Sequence, residues 1–420
     1  MHITDSEVVM FNFAGVPMLG NYRTGAVIGL TDAGANICKR MFDVDVPISE
    51  VTKVDEALAI ALQSGCFCRT YNSSSDHKLC SAYLHVTQRC NFHCLGCYSY
   101  DKKRNNCQDA SFESICHAIS ELAKGGISAL VISGGEPFLR SDLLEITKFA
   151  RQKCNINSIV ILSNGVGISE ASLQGFAPYV NAISVSIDAP DKNTMSWIRI
   201  DQLFDQQMGA ISAIKEAGIP AHIIPTIYSK NCDIEHLNQY VDLSKQIGAS
   251  ISFSLLTCQD DNAASKYVPT SEQLKQMGID LLNLNQQNDV KVLDMPAGNG
   301  GLTIRHSCGA GSKIISVGAD GTVYPCHMLH NKEYAMGNLF IEGLEEIMRS
   351  PIAKAFLEVD AEGIAGCRSC AYLPFCGGGC QARILYNRHS NMKDSYCSFM
   401  MSFYLEYEKR INAMFCNEGR

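Results

Sequence analysis

The stretch that most constrains this chain is Cys90-Asn91-Phe92-His93-Cys94-Leu95-Gly96-Cys97-Tyr98, where three cysteines stand in CxxxCxxC spacing. It follows Ser81 to Thr87, a short run that reads as a buried strand, so one strand end delivers three thiolates to a single centre. A structural zinc wants four protein ligands in a closed tetrahedron, and this loop offers three thiolates with only His93 as a nearby fourth. An iron–sulfur cluster with one open iron suits the segment better, and by spacing alone zinc remains the alternative.

At 420 residues the chain has room for two or three domains with substantial cores. Its twenty cysteines come without an export signal, which favours metal ligation over a disulfide framework, because cytosolic thiols are kept reduced. No apolar run is long enough to span a bilayer, and the N-terminus lacks a basic-then-apolar layout. The expectation is a cytoplasmic protein with no membrane partner. A formal charge of -8 offers no basic footprint for phosphate backbones, so no nucleic-acid partner is expected either.

Along the chain, residues 1–75 read as a small α/β module. Val8 to Phe13, Pro17 to Asn21 and Ala26 to Leu30 are strand candidates with a turn at Tyr22 to Gly25, and Thr31 caps a helix whose face carries Ile37, Cys38, Met41 and Phe42. One further helix is expected to carry Val54, Leu58, Ala61 and Leu62 and to end at Gly65. Cys66, Cys68 and Cys80 in the polar connector that follows read as spare thiols. From there strand and helix patterns alternate. The strands are Ala82 to Thr87, Ser128 to Ser133, Ser158 to Ser163, Ala182 to Ile187, Ala221 to Ile227 and Ile251 to Leu256, so the sheet should be parallel with right-handed crossovers. A connector over residues 259–301, with a helix starting near Thr270, shows no chemistry.

Cys90, Cys94, Cys97 and Tyr98 resemble the signature of the radical S-adenosylmethionine (SAM) superfamily. The resemblance implies a [4Fe-4S] cluster on the three cysteines, with its fourth iron chelating SAM, and an open partial (β/α)6 TIM-type barrel over residues 80–290. Gly134-Gly135-Glu136-Pro137, after the second strand, is similar to the family's GGEP motif, whose backbone meets the SAM amino group; glycines allow that approach because they carry no Cβ. Asn164, Ser186 and Arg199 match more loosely the residues that bind SAM. Arg199 could equally be a surface ion pair, and Asn164 a left-handed turn residue. All these motifs fall at C-terminal strand ends, where such barrels keep their chemistry.

The last third, residues 301–420, carries Cys308, Cys326, Cys367, Cys370, Cys376, Cys380 and Cys397, with a hairpin from Ile314 to Tyr324 turning at Asp320-Gly321. This pattern resembles the SPASM extension and its two auxiliary [4Fe-4S] clusters, three clusters in all. The resemblance implies Cys367, Cys370, Cys376 and Cys397 on the distal cluster and Cys308, Cys326 and Cys380 on the nearer one. A fourth ligand to the nearer cluster is not evident. Either the site is open to a substrate donor, or Cys258 or His306 closes it. Sulfatase-maturing relatives place an Asp base directly after the second SPASM cysteine, where this chain has His327, which weakens a formylglycine-forming reading and leaves His327 as a candidate base or simply as a helper that supports the cluster ligands.

Three small strands followed by helices resemble the RiPP recognition element, a winged-helix-like domain that takes a leader peptide as an added strand. Together these resemblances imply an oxidoreductase that abstracts hydrogen from a ribosomally made precursor peptide and forms a cross-link, a Cys-to-carbon thioether first, with flavodoxin or ferredoxin as electron donor. Carbon–carbon cross-linking and sulfatase-type oxidation are the enzymatic alternatives. The non-enzymatic one is an iron–sulfur scaffold or electron carrier.

Overall fold

The computed structural model describes residues 1–67, 79–100, 104–199, 203–259, 261–288, 291–292, 302–359, 361–364, 366–387 and 393–417. Cys68, Asp260 and the loop over 296–301 lie outside them.

Three antiparallel strands open the chain: β1 (Val8–Phe13), β2 (Val16–Asn21) and β3 (Val27–Gly29), in sheet order β1-β2-β3. Three helices follow: α1 (Asp32–Asp43), α2 (Ile48–Val54) and α3 (Glu56–Gln63). Thr31 caps α1 by accepting from the Gly34 N–H at 2.9 Å. The single helix expected around Val54 and Leu58 is two helices, because Asp55 leaves the helical region and its carboxylate accepts from the Leu58 N–H at 2.9 Å. These elements enclose their own core around Leu19, Cys38, Met41 and Leu58.

The central layer is a parallel α/β sheet. Strands β4 (Ser81–His85), β5 (Ala129–Ser133), β6 (Ser158–Ser163) and β7 (Ala182–Val185) pair in chain order, separated by helices α4 (Phe112–Lys124), α5 (Leu143–Gln152) and the short α6 (Glu170–Leu173). After α7 (Phe204–Glu216) the fifth expected strand is split into β8 (Ala221–Ile223) and β9 (Thr226–Ile227). Pro225 interrupts it, since proline has no N–H for a ladder bond. Next come α8 (Ile234–Ile247), β10 (Ser250–Leu255), α9 (Ser271–Asn288) and β11 (Lys291–Val292). Apolar side chains on α4, α5, α7 and α8 cover the sheet with one continuous core.

The C-terminal third builds onto this sheet. Strand β12 (Ile314–Val317) pairs in parallel with β4, from Ile314 against Ser81 to Val317 against Leu84. β13 (Thr322–Tyr324) and β14 (Gly337–Asn338) extend the sheet antiparallel. Helices α10 (Leu344–Ile347), α11 (Pro351–Leu357), α12 (Leu373–Cys376), α13 (Gln381–Tyr386) and α14 (Cys397–Asn417) complete the chain, α14 packing along α9. The first sheet docks on this region through edge-to-face contacts of Phe13 with Phe375, at 4.7 Å between centroids, and with Tyr372, at 6.2 Å. Among the described residues no helix is long and apolar enough to cross a membrane.

Candidate functional site

The loop after β4 is held by polar side chains on every side. The Asn105 side chain clamps the Cys90 backbone, accepting its N–H at 2.8 Å and donating to its carbonyl at 3.0 Å. Arg104 is buried and donates to Ser99 Oγ at 2.8 Å, with Cys97 Sγ 3.5 Å away. Arg199 forms an ion pair with Asp188 at 3.3 Å. The pair is mostly buried, with the Arg199 side chain 17% and Asp188 1% exposed, and the Arg199 charge draws on Cys94. Burial pushes the Cys90 and Cys94 thiols up, partly offset by the Phe92 N–H at Cys90 and by Arg199 at Cys94.

Gly134 and Gly135 serve the loop itself. A Cβ on Gly134 would stand 2.4 Å from the Thr87 carbonyl and one on Gly135 2.0 Å from that of Arg89. Two backbone bonds of 2.8 Å, Gly135 to Thr87 and Glu136 to Arg89, zip this turn onto the approach to Cys90. Close approach here is first to the chain's own backbone. Glu136 is buried and accepts from the Asn164 N–H at 2.8 Å, the Ser163 hydroxyl at 2.9 Å and the Phe138 N–H at 3.1 Å. Burial pushes its carboxyl up to about 7 in spite of those donors. Pro137 opens the one-turn helix behind it.

Asn164 is not in the left-handed region. Its side chain donates to Asn91 at 2.7 Å and so ties the end of β6 to the cysteine loop. Ser186 enters through its backbone, its carbonyl accepting from Gln207 at 2.9 Å. The Tyr98 hydroxyl lies 2.8 Å from Ser133 Oγ. Together these groups form one polar rim at the C-terminal strand ends, and the Arg199 Nε finds no hydrogen-bond partner among the described residues. A carboxylate is the ligand chemistry that suits such a cation.

The seven C-terminal cysteines fall into two sets. Cys326 lies within electrostatic reach of Cys308 and Cys380, and the three pack around Leu329 and Ala382 with Tyr324 and Tyr386. Cys397 lies within reach of Cys367 and Cys370, and Cys376 within reach of Cys370 and Cys397. Burial pushes the Cys376 thiol up to about 12. All ten cysteines singled out by the two motifs are free thiols, the form a cluster needs. Among the described residues no three His, Cys, Asp or Glu side chains converge as they would around one ion. Between the two sets sits a carboxylate that the sequence did not single out. Asp394 takes two bonds from Arg383, at 2.7 and 2.9 Å, one from the Cys380 N–H at 2.7 Å and one from the Tyr396 N–H at 2.9 Å. Burial raises its pKa, but the Arg383 charge and the hydrogen bonds from Arg383, Cys380 and Tyr396 together outweigh that and hold it below the usual range.

Of the two candidate closing ligands, His306 is committed elsewhere: its ring stacks on Tyr22 at 3.9 Å and its Nε2 is 3.1 Å from the Glu7 carboxylate. Cys258 bears on the same Tyr386 hydroxyl as Cys326 and Cys380. His327 stacks on Tyr83 at 4.2 Å and meets Tyr98 edge-on at 5.1 Å. The C-terminal hairpin thereby shares a wall with the first cysteine loop. Burial pulls the His327 imidazole down to about 4, so it is neutral at pH 7. Asn105, Arg104 and Asp394 belong to no motif, and Asn91 is an unspecified position within CxxxCxxC; only the fold gives these side chains their partners around the thiols.

Residues 84–241 match the Radical SAM superfamily, and residues 308–371 match SPASM, an iron–sulfur cluster-binding domain. The chain is 25% identical over 310 residues to the mycofactocin maturase MftC of Mycolicibacterium smegmatis, covering 71% of this chain and 76% of that one. Among solved structures it resembles anSMEcpe with bound AdoMet, at a TM-score of 0.66 and 16% identity over 81% of this chain and 96% of that one. It also resembles Streptococcus suis SuiB bound to its precursor peptide SuiA, at a TM-score of 0.60 and 15% identity over 94% of this chain and 100% of that one. At these identities the two structures speak to the fold alone.

Proposed function

Taking the chain as a radical SAM enzyme with a SPASM extension, whose cofactors are SAM and [4Fe-4S] clusters, we propose that it cross-links a ribosomally made precursor peptide, joining a Cys sulfur to carbon. The observation that carries this reading is the pairing of β12 with β4, which sets His327, the neighbour of Cys326, against Tyr83 and Tyr98. His327, next to Cys326, and Tyr98, next to Cys97, thus bring the nearer auxiliary set and the first cysteine loop to one aromatic contact. MftC is named a maturase and SuiB was solved with a precursor peptide, which supports a peptide as substrate.

In this reading Cys90, Cys94 and Cys97 hold the first cluster. Cys308, Cys326 and Cys380 hold the nearer auxiliary one, and Cys367, Cys370, Cys376 and Cys397 the distal one. When bound there, the first cluster and SAM would supply the radical chemistry needed to activate a peptide C–H bond. Arg199 and the rim of Asn164 and Ser186 orient the SAM carboxylate and ribose, while Asn105 and the Gly134–Gly135 turn fix the loop. His327, neutral in its aromatic seat, is one candidate for the base. Residues 1–67 capture the leader peptide on β3, whose Val27–Gly29 backbone is paired on one side by β2. A one-electron donor such as flavodoxin or ferredoxin completes the cycle.

Anaerobic reconstitution tests the reading. Wild type should bind about twelve irons, the sum for three [4Fe-4S] clusters. It should make 5'-deoxyadenosine with dithionite, and Cys90→Ala/Cys94→Ala/Cys97→Ala should not. A peptide encoded beside the gene, co-expressed with the enzyme, should lose two hydrogens and one alkylatable thiol. Loss of hydrogens with every thiol retained would mean a carbon–carbon bond. Only about four irons and no deoxyadenosine would remove the radical reading altogether.

A further inference from the structure

Three imidazoles meet where β12 joins β4, and two of them have no role so far. His85 ends β4 and is fully buried. The His330 ring lies 4.3 Å from that of His85 and 4.4 Å from that of Tyr324, with its Nε2 2.7 Å from Ser316 Oγ on β12. His327 flanks them against Tyr83 and Tyr98. Among the described residues neither nitrogen of His85 has a hydrogen-bond partner. A neutral imidazole carries one donor and one acceptor, and each left buried and unmade is destabilising. An apolar ring would fill the same space without that cost, so the polar ring points to use rather than to packing.

We propose that His330 is the catalytic group that takes the proton released as the peptide cross-link closes, with Ser316 and His85 as positioning residues; this rests on the peptide cross-linking reading above. His330 is half-buried and its Nε2 meets Ser316 Oγ at 2.7 Å; in the tautomer that donates Nε2–H to that oxygen, Nδ1 is the acceptor, the arrangement of a base oriented by a third group. In the step, the peptide C–H bond has already broken and its hydrogen atom has left on 5'-deoxyadenosine. The peptide S–H bond then breaks with its proton going to His330 Nδ1, the C–S bond closes, and the remaining electron leaves to an oxidised iron–sulfur cluster. Burial, and after it the neighbouring His327, lowers the His330 pKa, so the ring stands neutral before the step. Facing His85 are His327, His330, Tyr98 and the Arg104 guanidinium.

The test uses the reconstituted full chain and the neighbouring-gene peptide, reading cross-linked peptide per 5'-deoxyadenosine. His330→Phe keeps the ring stack and should lower that ratio about 100-fold, with iron content and melting temperature as in wild type. His330→Gly should lose the product likewise and regain it with added imidazole. His85→Phe should melt no lower than wild type, yet lower the ratio. A wild-type ratio in His330→Phe overturns the proposal. So does a loss of product confined to His327→Phe, or His330 variants that lose iron and melt early with no response to imidazole, because those results mark a structural ring. A wild type that cleaves SAM and modifies no peptide overturns the cross-linking reading instead.

Discussion

Asp394 shows how much a single side chain carries in this molecule. It neutralises Arg383 inside the protein and hydrogen-bonds the backbone of Cys380 and Tyr396, next to Cys397. Asp394→Asn leaves Arg383 a buried charge without a counter-charge, a loss expected to cost about 3–5 kcal/mol. Anaerobic denaturant unfolding of the iron-free chain should show it, together with reduced iron at both auxiliary sets. A cost under about 1 kcal/mol would place the pair among the weak ones. Glu136 makes the opposite kind of statement. Its carboxyl is raised to about 7 by burial, so the folded chain holds that proton more tightly than the unfolded one does. The resulting stability is present below the ordinary Glu value of about 4.3 and is lost as pH rises through about 7. Melting temperature should therefore fall over that window, and Glu136→Gln should flatten the slope.

At the scale of elements, strand and helix assignments follow local rules while their joining does not. Thr31 before α1 and Thr270 before α9 sit where helices begin, and five of the six expected β/α strands run unbroken, Pro225 dividing the other. The contact between β1 and α12 is different in kind, since Phe13 and Phe375 lie far apart along the chain and no periodicity couples them. Phe13 is 2% exposed, and Phe13→Ala removes a ring from a closed aromatic cluster, with an expected cost of about 3–5 kcal/mol. Thermal melting measures the loss. Because Phe375 precedes Cys376, the variant should also load less iron at the distal set while keeping 5'-deoxyadenosine formation; an unchanged iron count would show that the two are not linked.

For the molecule as a whole, cluster loading and folding are coupled through buried thiols. Burial keeps Cys90, Cys94, Cys326 and Cys376 protonated, and a metal takes thiolates, so loading near pH 7 should release protons into a weakly buffered solution. The rate of iron incorporation should rise with pH, and removing iron should lower the melting temperature. No proton release on full loading would mean that the thiols are ionised beforehand. The sequence by itself determined the parallel β/α order, the two cysteine motifs and the strand ends they occupy, because spacing, alternation and capping act over a few residues. Only the tertiary structure decided that β12 would pair with β4, that Asp394 and Asn105 would hold the thiol loops, and that His85 and His330 would meet. Those contacts join residues far apart in the chain, and they are chosen by which buried polar groups and ring faces satisfy one another once the layers have packed.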